Sequence, residues 1–265
     1  MTNQSPLLDD EKAPIRTLRL NRPKARNALS LELIGALRVA IATATKDDAV
    51  RVVILSAEGP AFCAGHDMRE MTSFRQNEDG GRAAFQEVFE TCAALMDEIL
   101  TCPLPVIAQV HAMATAAGCQ LVATCDLAIA AEEARFATPG VDIGLFCSTP
   151  MVALSRNVAR KPAMEMLLTG EPVSATEAEQ LGLVNRVVSA DALEAATLAL
   201  AGTIAQKPRS TVRIGKEAFY RQLELPQKAA YDYTATVMAE NMMVPGAREG
   251  IAAFMEKRPP NWSED

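Results

Sequence analysis

Two short segments of the chain carry the residue types from which an anion-binding site can be built. FCAGHDM (62–68) and TAAGCQL (115–121) each follow an apolar run, and each contains glycine and other small residues. Small residues let the backbone approach a ligand closely, and free N–H groups at a helix start can face a developing negative charge. Two such N–H groups, one from each segment, would form an oxyanion hole. An ordinary strand-to-helix turn and close helix–strand packing are the alternatives.

Few titratable side chains are placed to add acid–base chemistry to these segments. His66 could act as a base or contribute only its backbone N–H, and we favour the backbone role because no acidic residue is evidently positioned to orient the imidazole. Asp142, in PGVDIG, is a candidate acid or base, although aspartate more commonly caps a turn. Cys119 and Cys147 lack a partnering histidine, and His111 at a strand end is interpreted as structural.

The composition is that of an ordinary globular α/β protein. Of the 265 residues 49% are apolar and 22% charged, and the net charge of −7 comes from interspersed acids and bases. No basic stripe indicates nucleic-acid binding, and no apolar run is long enough to predict a transmembrane helix. The histidines and cysteines form no metal-binding motif, so no metal is expected. The polar, acidic beginning of the chain lacks the order of a signal peptide, which predicts a cytoplasmic protein.

Strands are predicted mainly in the first half of the chain and helices in the second. Apolar runs predict strands at 15–20, 50–57, 106–110, 126–131 and 183–188. Periodic apolar residues and caps predict helices at 30–46, 81–101, 116–125, 149–159, 161–169, 174–181, 191–206, 209–223, 227–241 and 245–257. We therefore expect an α/β core at 14–200, preceded by a polar tail at 1–13 and followed by a helical region at 201–265.

Several longer motifs, taken together and in this order, resemble the enoyl-CoA hydratase/isomerase family, also called the crotonase superfamily. They are LNRPKARNALS (20–30), SAEGPAFCAGHDMREM (56–71), TAAGCQLVATCD (115–126), FATPGVDIGLF (136–146), LTGEPVSATEAEQLGLVNRVV (168–188) and AFMEKRPPNW (253–262). The resemblance spans residues 14–262, nearly the whole chain. It implies an α/β fold built as a crotonase-like spiral of ββα units. It also implies a C-terminal helical region that builds a homotrimer, or a hexamer made of two trimers.

The resemblance further implies a ligand and the residues that hold it. The ligand is an acyl-CoA or enoyl-CoA thioester, with no cofactor beyond coenzyme A as part of the substrate. In this family the thioester oxygen lies between two backbone N–H groups, which fall here at His66 and Ala117. Phe254 and Lys257 match a C-terminal F-x-x-K pattern that reaches the CoA of a neighbouring subunit. The remaining CoA and substrate path falls on Lys24, Arg26, Ala28, Ala64, Asp67, Met68, Pro139 and Gly140.

The chain departs from the family at the two positions where a hydratase carries glutamates. Those glutamates hold a water and move its proton, and they fall at Gln120 and Gly140. A carboxamide can hydrogen-bond a water but cannot take up a proton at neutral pH, and a glycine offers only space. Alanines also replace the usual glycines at Ala112, Ala116 and Ala117. Because general acid–base catalysis contributes roughly 10²–10⁴-fold, we expect enoyl-CoA hydration to be weak or absent.

Different functional hypotheses therefore stay open. In the first, the chain is a hydratase/isomerase-type enzyme that stabilises a thioester enolate in the oxyanion hole. Double-bond isomerisation, thioester hydrolysis and decarboxylation are the open reactions under that hypothesis. In the second, the chain binds acyl-CoA without converting it, which the missing glutamates favour. A structural trimer with a blocked pocket is a third alternative. The sequence does not identify the acyl group.

Overall fold

The computed structural model of the chain describes residues 5–262, so residues 1–4 of the predicted tail and 263–265 of the predicted helical region lie outside the described residues. The strands β1–β10 are, in chain order, Leu7–Asp10, Ile15–Leu20, Val52–Ala57, Ala61–Cys63, Val106–Val110, Met113–Thr115, Leu127–Ala131, Arg135–Ala137, Val173–Ser174 and Arg186–Val188. The helices α1–α11 are Leu31–Lys46, Met68–Phe74, Arg82–Thr101, Ala117–Thr124, Pro150–Asn157, Arg160–Thr169, Ala175–Gln180, Leu193–Ala205, Arg209–Leu223, Gln227–Asn241 and Pro245–Glu256. Short 3-10 helices span Pro23–Ala25, Pro139–Ile143 and Ala190–Ala192.

The strands form two sheets that are joined by a repeated connection. The larger sheet has the order β1-β2-β3-β5-β7-β10 and is parallel except for β1, which runs antiparallel to β2. The smaller sheet has the order β4-β6-β8-β9, with β9 antiparallel to β8. The chain passes from the larger to the smaller sheet at β3–β4, β5–β6 and β7–β8. Helices follow each of these strand pairs, so the predicted α/β spiral of ββα units is confirmed.

The central strands are apolar on both faces because both faces are covered, as is typical of parallel sheets. In β3 the side chains alternate between two clusters. Val53 and Leu55 belong to the main core, whereas Val52 and Ile54 pack with Ala201 of α8 on the opposite face. The helix α8 therefore covers one face of the larger sheet, and the main core fills the other.

The long elements agree with the sequence analysis. The strands β2 and β5 and the helices α9 and α10 have the predicted bounds, and Ser30 caps α1 by accepting from the Leu33 N–H at 3.3 Å. The strand predicted at 183–188 begins only at Arg186. The reason lies at the end of α7, where the N–H groups of Leu183 and Val184 both donate to the Ala178 carbonyl.

Several short elements have no counterpart in the sequence analysis. They are α2 and the strands β1, β4, β6, β8 and β9, none of the strands longer than four residues. The strand β1 lies within the segment predicted as a polar tail and pairs with β2 from Leu7 opposite Leu20. An ion pair of 2.5 Å between Arg16 Nη2 and Asp9 Oδ2 adds to this pairing. Strands this short show no alternation from which they could be predicted.

The last three helices expose an apolar surface. Among the described residues α10 buries no side chain, and α9 buries only Ala218. We call the exposed large apolar residues of these helices and the α10–α11 turn the C-terminal apolar surface: Phe219, Leu223, Tyr231, Met238, Met242, Met243, Ile251, Phe254 and Met255. Surfaces of this kind mark interaction sites. None of the helices described between residues 5 and 262 has both the length and the hydropathy needed to span a membrane.

Candidate functional site

The two segments expected to supply backbone N–H groups lie against each other at Gly65. A Cβ placed on Gly65 would lie 3.0 Å from the Ala116 Cβ, 3.1 Å from the Thr115 oxygen and 3.4 Å from the Ala117 nitrogen. Gly65 also has a φ of +87°, a conformation that favours glycine. Because residue 65 has no side chain, the turn after β4 can contact the start of α4.

The N–H of His66 points away from the neighbouring backbone at Leu29. The Leu29 N–H donates to the Gly65 carbonyl at 2.8 Å, and the Leu29 carbonyl accepts from the Asp67 N–H at 3.0 Å. These two hydrogen bonds are the pattern of a parallel bridge between Leu29 and His66. Successive N–H groups of an extended segment point to opposite sides. The His66 N–H therefore faces the other side, and within residues 5–262 it donates to no backbone carbonyl.

The N–H of Ala117 follows a residue with an unusual backbone conformation. Ala116 has a φ of +49° and a ψ of −118°, which alanine rarely adopts, and its N–H donates to the Ala137 carbonyl at 2.9 Å. Strain of this kind costs about 1–3 kcal/mol and concentrates at functional sites. The helix α4 begins at Ala117, so the N–H of this residue has no acceptor within the helix. The structure thus leaves this N–H available to a ligand.

Gly118 holds α4 against β4 at the same place. A Cβ on Gly118 would lie 2.2 Å from the Cys63 carbonyl oxygen and 2.8 Å from the Cys63 Cβ. All eight residues of α4 are buried. Because β4 leads directly into Gly65 and His66, this close contact fixes the relative position of the two N–H groups.

Gln120, at the first of the two glutamate positions, lies one turn after Ala117 on α4. The residue is 4% exposed, and its Oε1 is buried with no hydrogen-bond partner among the described residues. Helical side chains lean toward the N-terminus of their helix, so the side chain of Gln120 is directed toward the start of α4. Leaving an amide oxygen buried and unpaired costs about 1–3 kcal/mol.

Gly140, at the second glutamate position, is tightly surrounded. A Cβ there would lie 2.6 Å from the Leu145 carbonyl oxygen and 2.9 Å from the Cys147 Sγ. The Leu145 N–H donates to the Gly140 carbonyl at 2.8 Å and closes the loop around it. The chain itself therefore fills the space beside Gly140. A carboxylate cannot be introduced at residue 140 without moving this loop.

His66 is half-buried, and its imidazole is uncharged at neutral pH. Within residues 5–262 both of its ring nitrogens are buried without a hydrogen-bond partner, and the ring packs edge-on against Phe89 at 5.2 Å. Burial lowers the pKa of His66 to about 4. So weak a base with no carboxylate to orient it fits the backbone role better than acid–base catalysis.

We expect His66 to make the free energy of unfolding depend on pH between about 6.5 and 4. Since the folded chain lowers the pKa of His66 to about 4, the unfolded chain binds this proton more readily. The stabilisation is complete above pH 6.5 and is lost as the pH falls toward 4, by at most about 3 kcal/mol. Urea unfolding of wild type and of His66→Leu at about pH 7.5 and 4.5 measures this loss. The pH dependence that comes from the carboxylates is the same in both proteins, so it cancels when their free energies of unfolding are compared. An equal loss in the two proteins would contradict it.

Asp67 holds the turn together through its side chain. Its Oδ1 accepts from the N–H groups of Arg69 and Glu70 and caps α2, and its Oδ2 accepts from Arg22 Nη2 at 2.8 Å. Burial acts to raise the pKa of Asp67, but the Arg22 guanidinium and the two N–H groups outweigh it, and the pKa lies below its usual range. The Asp67 carboxylate therefore fixes the turn that carries His66 and the start of α2.

The RPKAR segment is tied to the same turn through its backbone. The Ala64 N–H donates to the Arg26 carbonyl at 3.0 Å, and Ala28 accepts at its carbonyl from the Arg22 guanidinium. The side chains of Lys24 and Arg26 are exposed. The backbone of Arg26 therefore contacts the turn that carries His66, and the role of Lys24 and Arg26 in binding CoA stays a prediction.

Asn27 is a residue of this site that the sequence analysis missed. It is fully buried, its Nδ2 donates to the carbonyls of Glu58 and Ala61 at 2.7 and 2.8 Å, and its Oδ1 accepts from the Arg22 N–H. Its φ of +55° lies in the left-handed region, which asparagine tolerates better than most residues. The signal in the sequence that could have located it is an asparagine directly after the basic segment RPKAR.

The other predicted residues are more scattered. Met68 begins α2 and is half exposed, and Pro139 begins the 3-10 helix that contains Gly140. Asp142 is exposed, and its Oδ2 lies 3.0 Å from where a Gly170 Cβ would be, at the end of α6. Phe254 is 81% exposed on α11, and Lys257 follows that helix.

The cysteines are buried thiols. All six are free, and burial raises the pKa of Cys119 to about 12 and also raises that of Cys147. A raised pKa keeps the thiol protonated and unreactive. In the part of the chain that the structure describes, no group of three or more His, Cys, Asp or Glu residues could hold a metal ion.

A small cleft elsewhere in the molecule is separate from this site. It is lined by Arg51, Leu104, Pro105, Lys207 and Arg209, among others. Arg51 and Pro105 directly precede β3 and β5, so the cleft lies at the amino ends of these parallel strands. The N–H segments instead follow β4 and β6 of the smaller sheet, which come after the carboxyl ends of β3 and β5 along the chain.

Comparisons with known proteins agree with the motifs and the fold. A family model described as enoyl-CoA hydratase/isomerase matches residues 10–265. The Xenopus laevis protein named enoyl-CoA hydratase domain-containing protein 3, mitochondrial, is 49% identical over 249 residues, which cover 94% of this chain and 83% of that protein. The human protein of the same name is 47% identical over 251 residues, which cover 95% of this chain and 81% of that protein.

Solved structures show the same similarity. A crystal structure of an enoyl-CoA hydratase from Mycobacterium smegmatis matches with a TM-score of 0.93 and 52% identity, covering 98% of this chain and 99% of that chain. The crystal structure of human enoyl-CoA hydratase domain-containing protein 3 matches with a TM-score of 0.92 and 46% identity, covering 97% of this chain and all of that chain.

The names of the vertebrate relatives also correct one prediction. They are named as mitochondrial proteins, so the cytoplasmic location predicted from the sequence is wrong. That prediction tested only for a secretory signal, whereas mitochondrial targeting segments have a different composition.

The chain belongs to the enoyl-CoA hydratase/isomerase family, as shown by its motifs, by its spiral of ββα units and by the matches over nearly its whole length.

Proposed function

We propose that the chain binds acyl-CoA thioesters and stabilises negative charge on the thioester oxygen between the N–H groups of His66 and Ala117. The observation that carries this proposal is the close approach at Gly65, which brings the two N–H segments together. Fixed dipoles aimed at a developing oxyanion are the largest single contribution in many enzymes. Membership of the enoyl-CoA hydratase/isomerase family supports a CoA thioester as the ligand.

We expect this site to hydrate enoyl-CoA poorly. Gln120 cannot take up the proton of an attacking water, and Gly140 is too crowded to carry a carboxylate. A reaction of the hydratase/isomerase type that proceeds through the oxyanion hole without this carboxylate pair is the activity that the geometry favours. Binding without conversion is the second candidate, and it is favoured by the loop that fills the space at Gly140.

The absorbance of crotonyl-CoA during incubation with purified protein tests the proposed loss of hydration. We expect its conjugated double bond to persist, at a rate at least about 10²-fold below that of a family member with both glutamates. Calorimetric titration with the same thioester tests binding. Fast loss of absorbance would contradict the expected loss of hydration.

The variant Gly65→Ala tests the oxyanion hole itself. A methyl group at this position would push the start of α4 away, so we expect weaker thioester binding. Gly80→Ala is the matched control, because Gly80 also has a positive φ but no atom lies within 4 Å of its Cβ position. Equal affinities of Gly65→Ala and Gly80→Ala for crotonyl-CoA would contradict the proposed hole.

We also propose that the C-terminal apolar surface is buried in a homotrimer or a hexamer of two trimers. Phe254 and Met255 are 81% and 74% exposed in the single chain, which is unfavourable for large apolar side chains in water. Such an assembly would bring Phe254 and Lys257 to the CoA of a neighbouring subunit.

A further inference from the structure

The small cleft at the amino ends of β3 and β5 carries three cations. Arg51 and Pro105 directly precede these two strands, and Lys207 and Arg209 belong to the junction between α8 and α9. The cleft holds about 210 Å³ of space. Pockets for drug-sized ligands begin at about 300 Å³, so this cleft fits a small ion or a single polar group rather than a nucleotide or a long acyl chain.

The Arg51 guanidinium needs a hydrogen-bond partner that the chain does not supply. The residue is half-buried, and its Nη1 is shielded from solvent with no partner among residues 5–262. An arginine stays charged in proteins, so it cannot relieve its burial by losing a proton as a histidine can. The Arg51 N–H donates to the Pro14 carbonyl at 2.8 Å, which fixes the backbone from which the side chain extends. An acceptor from outside the chain would satisfy this nitrogen.

The other two cations of the cleft differ in their ion pairs. Arg209 Nη1 lies 2.5 Å from Asp48 Oδ1, and Arg209 Nη2 donates to the Asp47 carbonyl at 3.3 Å. Lys207 is exposed and forms no ion pair with a residue in the described part of the chain. Two positive charges of the cleft, on Arg51 and Lys207, are therefore without an ion-pair partner in residues 5–262.

The number of these charges and their geometry favour a phosphate group. A phosphate monoester carries about 1.5 to 2 negative charges near neutral pH and has three acceptor oxygens. A carboxylate carries one charge and would leave one of the two cations without a counter-charge. The planar fork of Arg51 matches phosphate oxygens, and Lys207 offers a point charge. The start of α9, which lines the cleft at Arg209 and Val212, adds the partial positive charge of a helix N-terminus.

We infer that this cleft binds a phosphate group between Arg51 and Lys207, either as inorganic phosphate or on a small phosphate monoester. Ligands that react on α/β sheets bind beyond the carboxyl ends of the strands, so a phosphate at the amino ends is a stabilising ligand and not a substrate. It would connect the start of β3 to the α8–α9 junction, and it would stabilise the folded chain because it binds that state alone. The lining residues lie outside both N–H segments, so the inference does not rest on the proposed function.

Calorimetric titration with inorganic phosphate at constant ionic strength tests this inference. We expect one phosphate to bind per chain. Arg51→Gln and Lys207→Gln are each expected to weaken binding about tenfold, because each removes one charge-assisted contact. Lys161→Gln is the matched control, since it removes the charge of another exposed lysine, in α6, that does not line the cleft. This variant is expected to keep the phosphate affinity of wild type.

Further titrations separate the cleft from other phosphate sites and other anions. The double variant Lys24→Gln with Arg26→Gln removes the cations predicted to bind CoA, and it is expected to keep the phosphate affinity. Acetate is expected to bind at least about tenfold more weakly than phosphate, because it carries a single charge. Glycerol 3-phosphate distinguishes the two sources of the phosphate group. Tighter binding than inorganic phosphate would identify a monoester as the ligand, and equal or weaker binding would identify the free ion.

Several results would overturn the inference. They are the absence of phosphate binding to wild type, unchanged affinity in either Arg51→Gln or Lys207→Gln, an equal loss of affinity in Lys161→Gln, and acetate binding as tight as that of phosphate. Loss of affinity in the double variant would place the phosphate on the predicted CoA path instead. Lys207 is exposed, so Lys207→Gln is expected to fold and keeps the inference testable even if Arg51→Gln does not fold. Titration with crotonyl-CoA tests the proposed function separately.

Discussion

Replacing Gly118 with alanine is expected to lower the free energy of unfolding by about 3 kcal/mol or more. The added Cβ would lie 2.2 Å from the Cys63 carbonyl oxygen, which belongs to the backbone of β4 and cannot rotate away. Either α4 or β4 must then shift. Since β4 leads to His66 and α4 begins at Ala117, the shift separates the two N–H groups. The folded fraction of Gly118→Ala is therefore also expected to bind acyl-CoA weakly.

Gly35→Ala is the matched control for this prediction. Gly35 is also a helical glycine, in α1, but no atom lies within 4 Å of its Cβ position. The same substitution there is expected to raise stability by about 0.5–1 kcal/mol, because alanine has the higher helix propensity. Urea unfolding at neutral pH compares the three proteins. If Gly118→Ala and Gly35→Ala change stability in the same direction, the close packing of α4 on β4 does not constrain the fold.

Long elements could be predicted from the sequence because each carries its own signal. In α3 the buried side chains Val88, Cys92, Leu95, Met96 and Ile99 recur at helical spacing. The short strands of the smaller sheet carry no such signal. Ala61 pairs with Met113, and Ala114 with Phe136, so these strands form because of partners that are distant in sequence.

The site was predictable only in part for a similar reason. The sequence indicated the two N–H segments, since small residues that follow a predicted strand can be recognised from the sequence alone. It did not indicate that Ala116 would adopt a positive φ, a conformation in which glycine is expected. Nor did it indicate that Leu145 and Cys147 would close around Gly140. Both features depend on tertiary packing, which a local sequence pattern does not indicate.

Asp126, which ends the TAAGCQLVATCD stretch, joins the helix α9 to the core. Its Oδ2 accepts from Lys216 Nζ and from the Val106 N–H, each at 2.7 Å, and its Oδ1 accepts from the Tyr220 hydroxyl at 2.8 Å. The side chains of Lys216 and Asp126 are only 7% and 14% exposed. Burial and the Asp126 carboxylate also raise the pKa of Tyr220, which keeps its hydroxyl a donor. One carboxylate therefore connects the start of β5, the end of the α4 segment and α9.

Asp126→Asn is expected to destabilise the protein by about 3–5 kcal/mol, because it leaves the ammonium of Lys216 buried without its counter-charge. Lys216→Met should cost a similar amount for the opposite reason. The double variant is expected to lose less stability than the sum of the two single losses, since removing both partners leaves no unpaired charge.

Lys228→Met is the control, because its ion pair with Asp232 is exposed and is expected to contribute at most about 0.5 kcal/mol. Strictly additive losses in urea unfolding would mean that Asp126 and Lys216 act independently, and losses below about 1 kcal/mol would mean that α9 is held by its apolar packing alone. Non-additive losses would identify the buried ion pair as the connection that holds α9 against β5. The C-terminal apolar surface, which includes residues of α9, would then depend on the same ion pair for its position.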